Sequence, residues 1–311
     1  MAKGIGIILV IVGHGILHAF GIDVFHMPLF FFLTGITYNV SAKLDIFIIK
    51  KINRIVVPWI FFSIASAIFE LIFGRINQNM PFNGPLWFLQ TLMCAILIYV
   101  VIHSIFPKLL HVICFSLPVL VYVITVYTNW ASILPFNIIR ALEAVFYIHL
   151  GWCFKKYLRL GKVHIIFLLV ICIIGYLVGL WISLSYFDVK DASFINTRMY
   201  TYNLPLSLIT SIAGLLIIVL FSQLVSKIQV LNWMGKNSLV IMCVHFPLQE
   251  RLNELCFYCF SNLDLTIYMK LGLAVVSYCI TVGFSIIVAR GCRKYCPKLT
   301  GYDNLVTIAS R

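Results

Sequence analysis

Two stretches within the first forty residues decide how this chain folds. They are Lys3-Gly4-Ile5-Gly6-Ile7-Ile8-Leu9-Val10-Ile11-Val12-Gly13-His14-Gly15 and Phe25-His26-Met27-Pro28-Leu29-Phe30-Phe31-Phe32-Leu33-Thr34-Gly35. Both are apolar runs of a kind that suits hydrocarbon, and both carry an imidazole. An ionisable group inside a membrane helix is costly, so it marks a functional site by default. Lys3 and His14 stand eleven positions apart. That is about three helical turns, which places them on one face and roughly 16 Å apart along the axis. A basic residue at the membrane surface, in line with a proton acceptor inside it, suits a long ligand with an anionic head and a reactive tail.

The same patterning runs through the whole chain. Of its 311 residues, 62% are hydrophobic and 11% charged, and the mean hydropathy is +1.04. A soluble domain carries about 25% charged residues. Here the charges fall between long apolar runs, which predicts an all-α, polytopic membrane bundle forming a single membrane-embedded domain over residues 1–311. The spacing predicts about ten membrane helices, near 4–22, 24–40, 55–74, 86–105, 112–128, 138–154, 164–186, 203–225, 236–250 and 268–289. Polar punctuation separates most of them, as at 74–79, 128–130, 188–196 and 261–264. The first run begins almost at Met1 and lacks a small-residue cleavage pattern, so it reads as a retained helix. Seventeen of the 23 lysines and arginines fall in one set of loops and six in the other. That bias predicts cytoplasmic termini and a cytoplasmic loop from Lys43 to Arg54. No internal repeat of transporter type is visible.

The net charge of +13 is not a nucleic-acid footprint, because the positive charge lies in short loops rather than along one exposed face. Ten cysteines scatter mostly through the apolar runs. Even Cys256-x-x-Cys259 reads as buried or interfacial thiols, since no second pair stands beside it.

The candidate chemistry centres on His14. Gly13 and Gly15 remove bulk on both sides, so another helix or a substrate can approach closely. A neutral buried imidazole suits a general base; the competing reading is a helix-packing histidine bonded to a neighbouring carbonyl. His14 and His18, with Asp23 and His26, resemble half a metal site, but nothing supplies the glutamate of His-Glu-x-x-His, and no metal is expected. Lys51 and Arg54, three apart, project from one helix face as an anion clamp or simply as a positive-inside anchor. Trp87, in Gly84-Pro85-Leu86-Trp87-Phe88-Leu89, suits interfacial anchoring or a sugar-stacking platform. Glu143 lies within the sixth expected span, where pairing with Arg140 or orienting a histidine both fit. His245 is a further intramembrane imidazole, after Gly235-Lys236-Asn237-Ser238-Leu239. His149 has no distinguishing context.

Taken in order along most of the chain, these motifs resemble the membrane-bound acyltransferase family 3, and within it the group similar to fucose 4-O-acetylases. The resemblance rests on Lys3-Gly4-Ile5-Gly6-Ile7 with Gly13-His14, on Phe25 through Gly35, and on Lys51-x-x-Arg54 with Pro58. Leu86-Trp87-Phe88-Leu89 and Gly235 through Leu239 with His245 continue it. It implies a ten-helix enzyme of the bacterial plasma membrane that moves an acyl group, usually acetyl from cytoplasmic acetyl-CoA, onto sugar hydroxyls of cell-surface or lipid-linked glycans. The family pattern is Arg-x(10)-His, and Lys3 fills the arginine's place. The family also carries Arg-x-x-Arg, and Lys51 replaces the first arginine. Both changes keep charge and lose a bidentate fork. The resemblance implies that Lys3, Lys51 and Arg54 hold the donor phosphates and that His14 is the base. His26, Trp87 and His245 would orient the acceptor or stabilise the oxyanion. Acetyl-CoA, a glycan and the bilayer are the implied partners, and no nucleic acid is among them. Two other classes compete: a carrier or flippase for a glycan lipid or small anion, and a nonenzymatic scaffold.

Overall fold

Apolar backbone withdrawn from water must satisfy its own N–H and C=O groups, and an α-helix does so within one segment. The computed structural model describes residues 1–15, 21–39, 44–72, 84–128, 137–157, 161–187, 203–225, 227–260 and 266–306, and these contain helices and no strand. The helices are α1 (Ala2–Gly13), α2 (Ile22–Ile36), α3 (Leu44–Lys51), α4 (Val57–Ile72), α5 (Trp87–Ile105), α6 (Leu110–Tyr127), α7 (Ile138–Phe154), α8 (Lys162–Phe187), α9 (Leu204–Leu224), α10 (Gln229–Lys236), α11 (Ser238–Phe260) and α12 (Ile267–Tyr295). A π-helical turn, Ile52–Val56, joins α3 to α4 without a break, and a 3-10 turn, Gly84–Leu86, leads into α5.

Six described segments are long and apolar enough to cross a membrane: Asp45–Ile72, Gly84–Ile105, Leu110–Tyr127, Lys162–Ser185, Leu204–Leu224 and Ile267–Tyr295. Their outward faces are apolar too. On α8 the exposed side chains include Ile166, Phe167, Ile174, Leu177 and Trp181, a surface that suits lipid tails better than water. Helices also lie in the other expected regions, but with different character. The 12 residues of α1 and 15 of α2 span about 18 and 22 Å, short of a hydrocarbon core of about 30 Å. The second half of α11 bears Glu250, Arg251 and Glu254. His18, Lys43, Arg159, Arg198, Arg311 and the punctuation at 74–79, 129–130, 188–196 and 261–264 lie outside the described residues.

The first helix departs most from expectation. It stops at Gly13 instead of continuing to residue 22. Gly13 and Gly15 each cost roughly 1 kcal/mol of helix propensity relative to alanine. The backbone N–H of His14 still donates to Val10 at 3.2 Å, and that of Gly15 tightens to Val12 at 3.2 Å. His14 therefore stands on the turn that ends α1, not in mid-helix.

The described helices group into two compact units. The first comprises Met1–Gly6, Ala19–Asn39 and Thr91–Asn232. Within it α2 packs on α7 and α9, α8 packs on α9, and α6 packs on α7. The contact of α2 with α7 is backbone on backbone. A β-carbon added at Gly35 would overlap the Ile148 carbonyl, and one added at Gly151 would overlap the Phe32 carbonyl. Glycine on both faces permits that approach. Tyr147 of α7 donates its hydroxyl to Ser211 of α9 at 3.1 Å. Glu143 is buried on α7, one turn after Arg140.

The second unit comprises Ile7–His18, Val40–Gln90 and Trp233–Arg311. Within it α11 packs against α12, α4 and the Gly84–Leu86 turn. The residues of chemical interest collect here.

Gly35→Val and Gly151→Val are each expected to destabilise the detergent-purified protein by on the order of 1–3 kcal/mol, the usual cost of overpacking. Gly272→Val, where an added β-carbon meets nothing within 4 Å, serves as the control. Thermal unfolding checks this; equal midpoints for all three variants would show that the α2–α7 contact is not tight.

Candidate active site

The last carbonyl oxygens of a helix lack partners within that helix. Helix α11 supplies the donors. Gln249 Nε2 donates to the Ile11 carbonyl at 2.7 Å, and Asn253 Nδ2 donates to the His14 carbonyl at 3.0 Å. These two residues are one turn apart on one helix face, and His245 lies one turn before them. The His245 ring is thereby brought to 5.6 Å from the His14 ring, centroid to centroid, at a tilt of 38°. Phe246 meets His14 edge-on at 5.2 Å. Gly84 packs over Phe246, and Gly15 lies so close to the Tyr278 ring that a β-carbon there would overlap it.

His245 is fully buried. Its Nδ1 lies 3.1 Å from the Ile241 carbonyl. A carbonyl only accepts, so Nδ1 carries the proton, and in the neutral ring Nε2 keeps its lone pair. His14 is half-buried. Farther along α11, Arg251 pairs with Glu70 of α4 and, at 3.0 Å, with Glu254. This ion-pair cluster ties α4 to α11.

A second group of residues forms around the π-helical turn. Asn53 is buried there, whereas Arg54 beside it is exposed and Lys51 is half-buried. The Lys51 ammonium lies 5.1 Å from the Phe47 ring centroid. Asn53 uses its whole hydrogen-bonding capacity. Its amide nitrogen donates to the Ile49 and Val306 carbonyls at 3.0 and 2.8 Å. Its oxygen accepts from the Leu305 and Val306 backbone N–H groups at 2.7 and 2.8 Å. The segment after α12 is thus strapped to the turn that carries Lys51 and Arg54. Gly301, at φ +77°, lets the strap bend against Pro58 and Arg54; that backbone angle suits glycine.

The strap also reaches the Gly235–Leu239 motif. Tyr302 donates its hydroxyl to Asn237, whose amide in turn donates to the Trp233 carbonyl at 2.7 Å. Burial pushes the Tyr302 hydroxyl up to about 12, with the Cys292 thiol adding to the shift and Arg293 opposing it. Arg293 lies 5.9 Å from the Tyr302 ring centroid, and Arg290 lies 5.7 Å from that of Trp233.

Of the residues singled out in the sequence, His14 and His245 are in ring contact. Lys51 and Arg54 share the π-helical turn. Trp87 opens α5 directly after the turn that holds Gly84, half-buried and edge-on to Phe88 at 6.3 Å. Lys3 and His26 belong to the first unit. There His26 is buried, with Nδ1 donating to the Ile22 carbonyl at 2.9 Å and lying 3.6 Å from Asp23. Gln249, Asn253, Glu70 and the strap were not anticipated. One signal for Gln249 and Asn253 was present: polar residues at 245, 249 and 253 form an i, i+4, i+8 stripe along one face of α11.

The family model for the acyltransferase domain of acyltransferase family 3 matches residues 1–290. The match takes in Lys3, His14, His26, Lys51, Arg54, Trp87 and His245 and ends before the strap. No curated protein and no solved structure matches the chain. Because the family match covers nearly the whole length, the chain belongs to acyltransferase family 3 and is a multi-pass membrane acyltransferase.

Proposed function

We propose that this protein transfers an acetyl group from cytoplasmic acetyl-CoA to a sugar hydroxyl of a cell-surface or lipid-linked glycan. In this reading the chain spans the bacterial plasma membrane ten times with both termini in the cytoplasm. The observation that carries it is the His14–His245 ring pair at the end of α1. The carbonyls below that pair are capped from α11.

The chemistry follows from two imidazoles side by side. His14 takes the proton of the acceptor hydroxyl as its oxygen attacks the thioester carbonyl. The tetrahedral intermediate collapses by breaking the C–S bond, and the proton passes from His14 to the leaving CoA thiolate. The imidazolium formed on the way sits at the C-terminal end of α1, where the helix dipole favours a cation. His245, held in one tautomer by the Ile241 carbonyl, orients the acceptor or the developing oxyanion.

Lys51 and Arg54 receive the donor's phosphates in this scheme. The strap supports the assignment, because Asn53 is immobilised by four hydrogen bonds while the neighbouring Arg54 points to the exposed side. π-helical turns occur often at functional sites. The roles of Lys3 on the phosphates, and of His26 and Trp87 on the acceptor, rest on the sequence pattern.

Transfer of label from radiolabelled acetyl-CoA in membranes tests the reading, with host glycan as acceptor and alkali-labile ester as product. His14→Ala at matched abundance is expected to lower turnover by roughly 10²–10⁴-fold, the usual contribution of a general base. Normal turnover in that variant removes His14 from the mechanism. Arg54→Ala is expected to raise the apparent KM for acetyl-CoA about tenfold with kcat kept, as loss of a ground-state contact does; lost turnover at unchanged KM would contradict the clamp. Asn53→Ala, which releases the strap, is expected to reproduce the KM effect of Arg54→Ala without touching the charge. If its KM stays at the wild-type value, the strap has no part in donor binding.

A further inference from the structure

We infer that His111, His149 and Cys153 form a Zn²⁺ site in the first unit, outside the residues assigned to acyl transfer. His149 and Cys153 lie one turn apart on α7, and His111 stands in the first turn of α6, which packs on α7. The three donor atoms lie within 4.8 Å of one another. His149 Nε2 is 3.0 Å from His111 Nδ1, and Cys153 Sγ is 3.6 Å from His149 Nε2 and 3.9 Å from His111 Nδ1. Tetrahedral zinc with ordinary Zn–N and Zn–S bonds requires about 3.3 Å between two nitrogens and about 3.6 Å between nitrogen and sulfur. The preformed spacing is within a few tenths of an ångström of that triangle.

The surroundings of His149 fit a metal ligand. Its other ring nitrogen, Nδ1, lies 3.2 Å from the Tyr99 hydroxyl, and Trp152 stacks on its face at 5.6 Å and 23°. A ligating histidine ordinarily has its second nitrogen engaged in this way, which fixes tautomer and ring orientation. A bare hydrogen-bonded imidazole pair accounts for the His111–His149 contact alone. The Cys153 thiol, one turn along α7 from His149, adds a third donor atom directed at the same two nitrogens. Two imidazoles and one thiolate suit zinc. Binding releases the Cys153 proton to solvent and leaves a fourth position for water. His149 is buried, whereas His111 is exposed at the start of α6, so an ion has a way in from that side. The bound ion would clamp α6 to α7.

The test uses the full-length protein, purified in detergent, stripped with chelator and titrated with ZnCl₂ against a chromophoric competitor. One equivalent is expected to bind and to raise the thermal midpoint. Cys153→Ser and His149→Ala are each expected to weaken binding at least tenfold, whereas Cys172→Ser on α8 should match wild type. Co²⁺ titration supplies a second readout: a thiolate-to-cobalt charge-transfer band in wild type that Cys153→Ser lacks. It keeps the test decisive if His149→Ala does not fold. No stoichiometric Zn²⁺ binding, equal binding by wild type and Cys153→Ser, or cobalt binding without the thiolate band would each overturn the site.

Discussion

The carbonyl oxygens left at the end of α1 are the constraint on which the candidate site depends. Any helix leaves its last carbonyls without intrahelical partners. In apolar surroundings an unmet carbonyl costs several kcal/mol, because water is not there to replace the lost turn. Gln249 and Asn253 meet two of them. Once those two side chains are committed, the face of α11 that opposes α1 is decided, and His245 is carried with it to His14. The imidazole pair is therefore a geometric consequence of a cap. The Glu70–Arg251–Glu254 cluster holds α4 to the same helix farther along. A buried charge left without its partner would be strongly destabilising.

The basic turn obeys a related rule. A π-helical turn shifts the phase of the helix, so Asn53 and Ile55 face inward while Arg54 faces out. A buried asparagine amide needs two donors and two acceptors satisfied, and the segment around Leu305 and Val306 supplies most of them. That segment lies beyond the family match, which ends at residue 290, yet it braces residues within it. The bracing holds the backbone of the turn that carries Lys51 and Arg54.

The first unit is governed by closeness rather than charge. Gly35 and Gly151 let the backbones of α2 and α7 touch, and α7 then carries His149 and Cys153 on one face beside His111. None of these three had a sequence context that set it apart. His111 lies 38 residues from His149, and no local pattern links residues on two different helices.

What the sequence determined by itself was local. Apolar runs of helical length, charges confined between them, and glycines around His14 sufficed for an all-helical membrane chain and for the motifs matched by the family. Those properties depend on near neighbours in the chain, so periodicity and composition reveal them. The end of α1 at Gly13 was half legible: the glycines were visible, but whether a helix survives them depends on who receives its carbonyls. The partners were decided by tertiary structure alone. Asn253 on the His14 carbonyl, Val306 on Asn53, Glu70 on Arg251 and His111 on His149 are separated by 38 to 253 residues. Each such pair forms because a buried polar group must find a complement wherever packing brings one, and packing is a property of the whole fold.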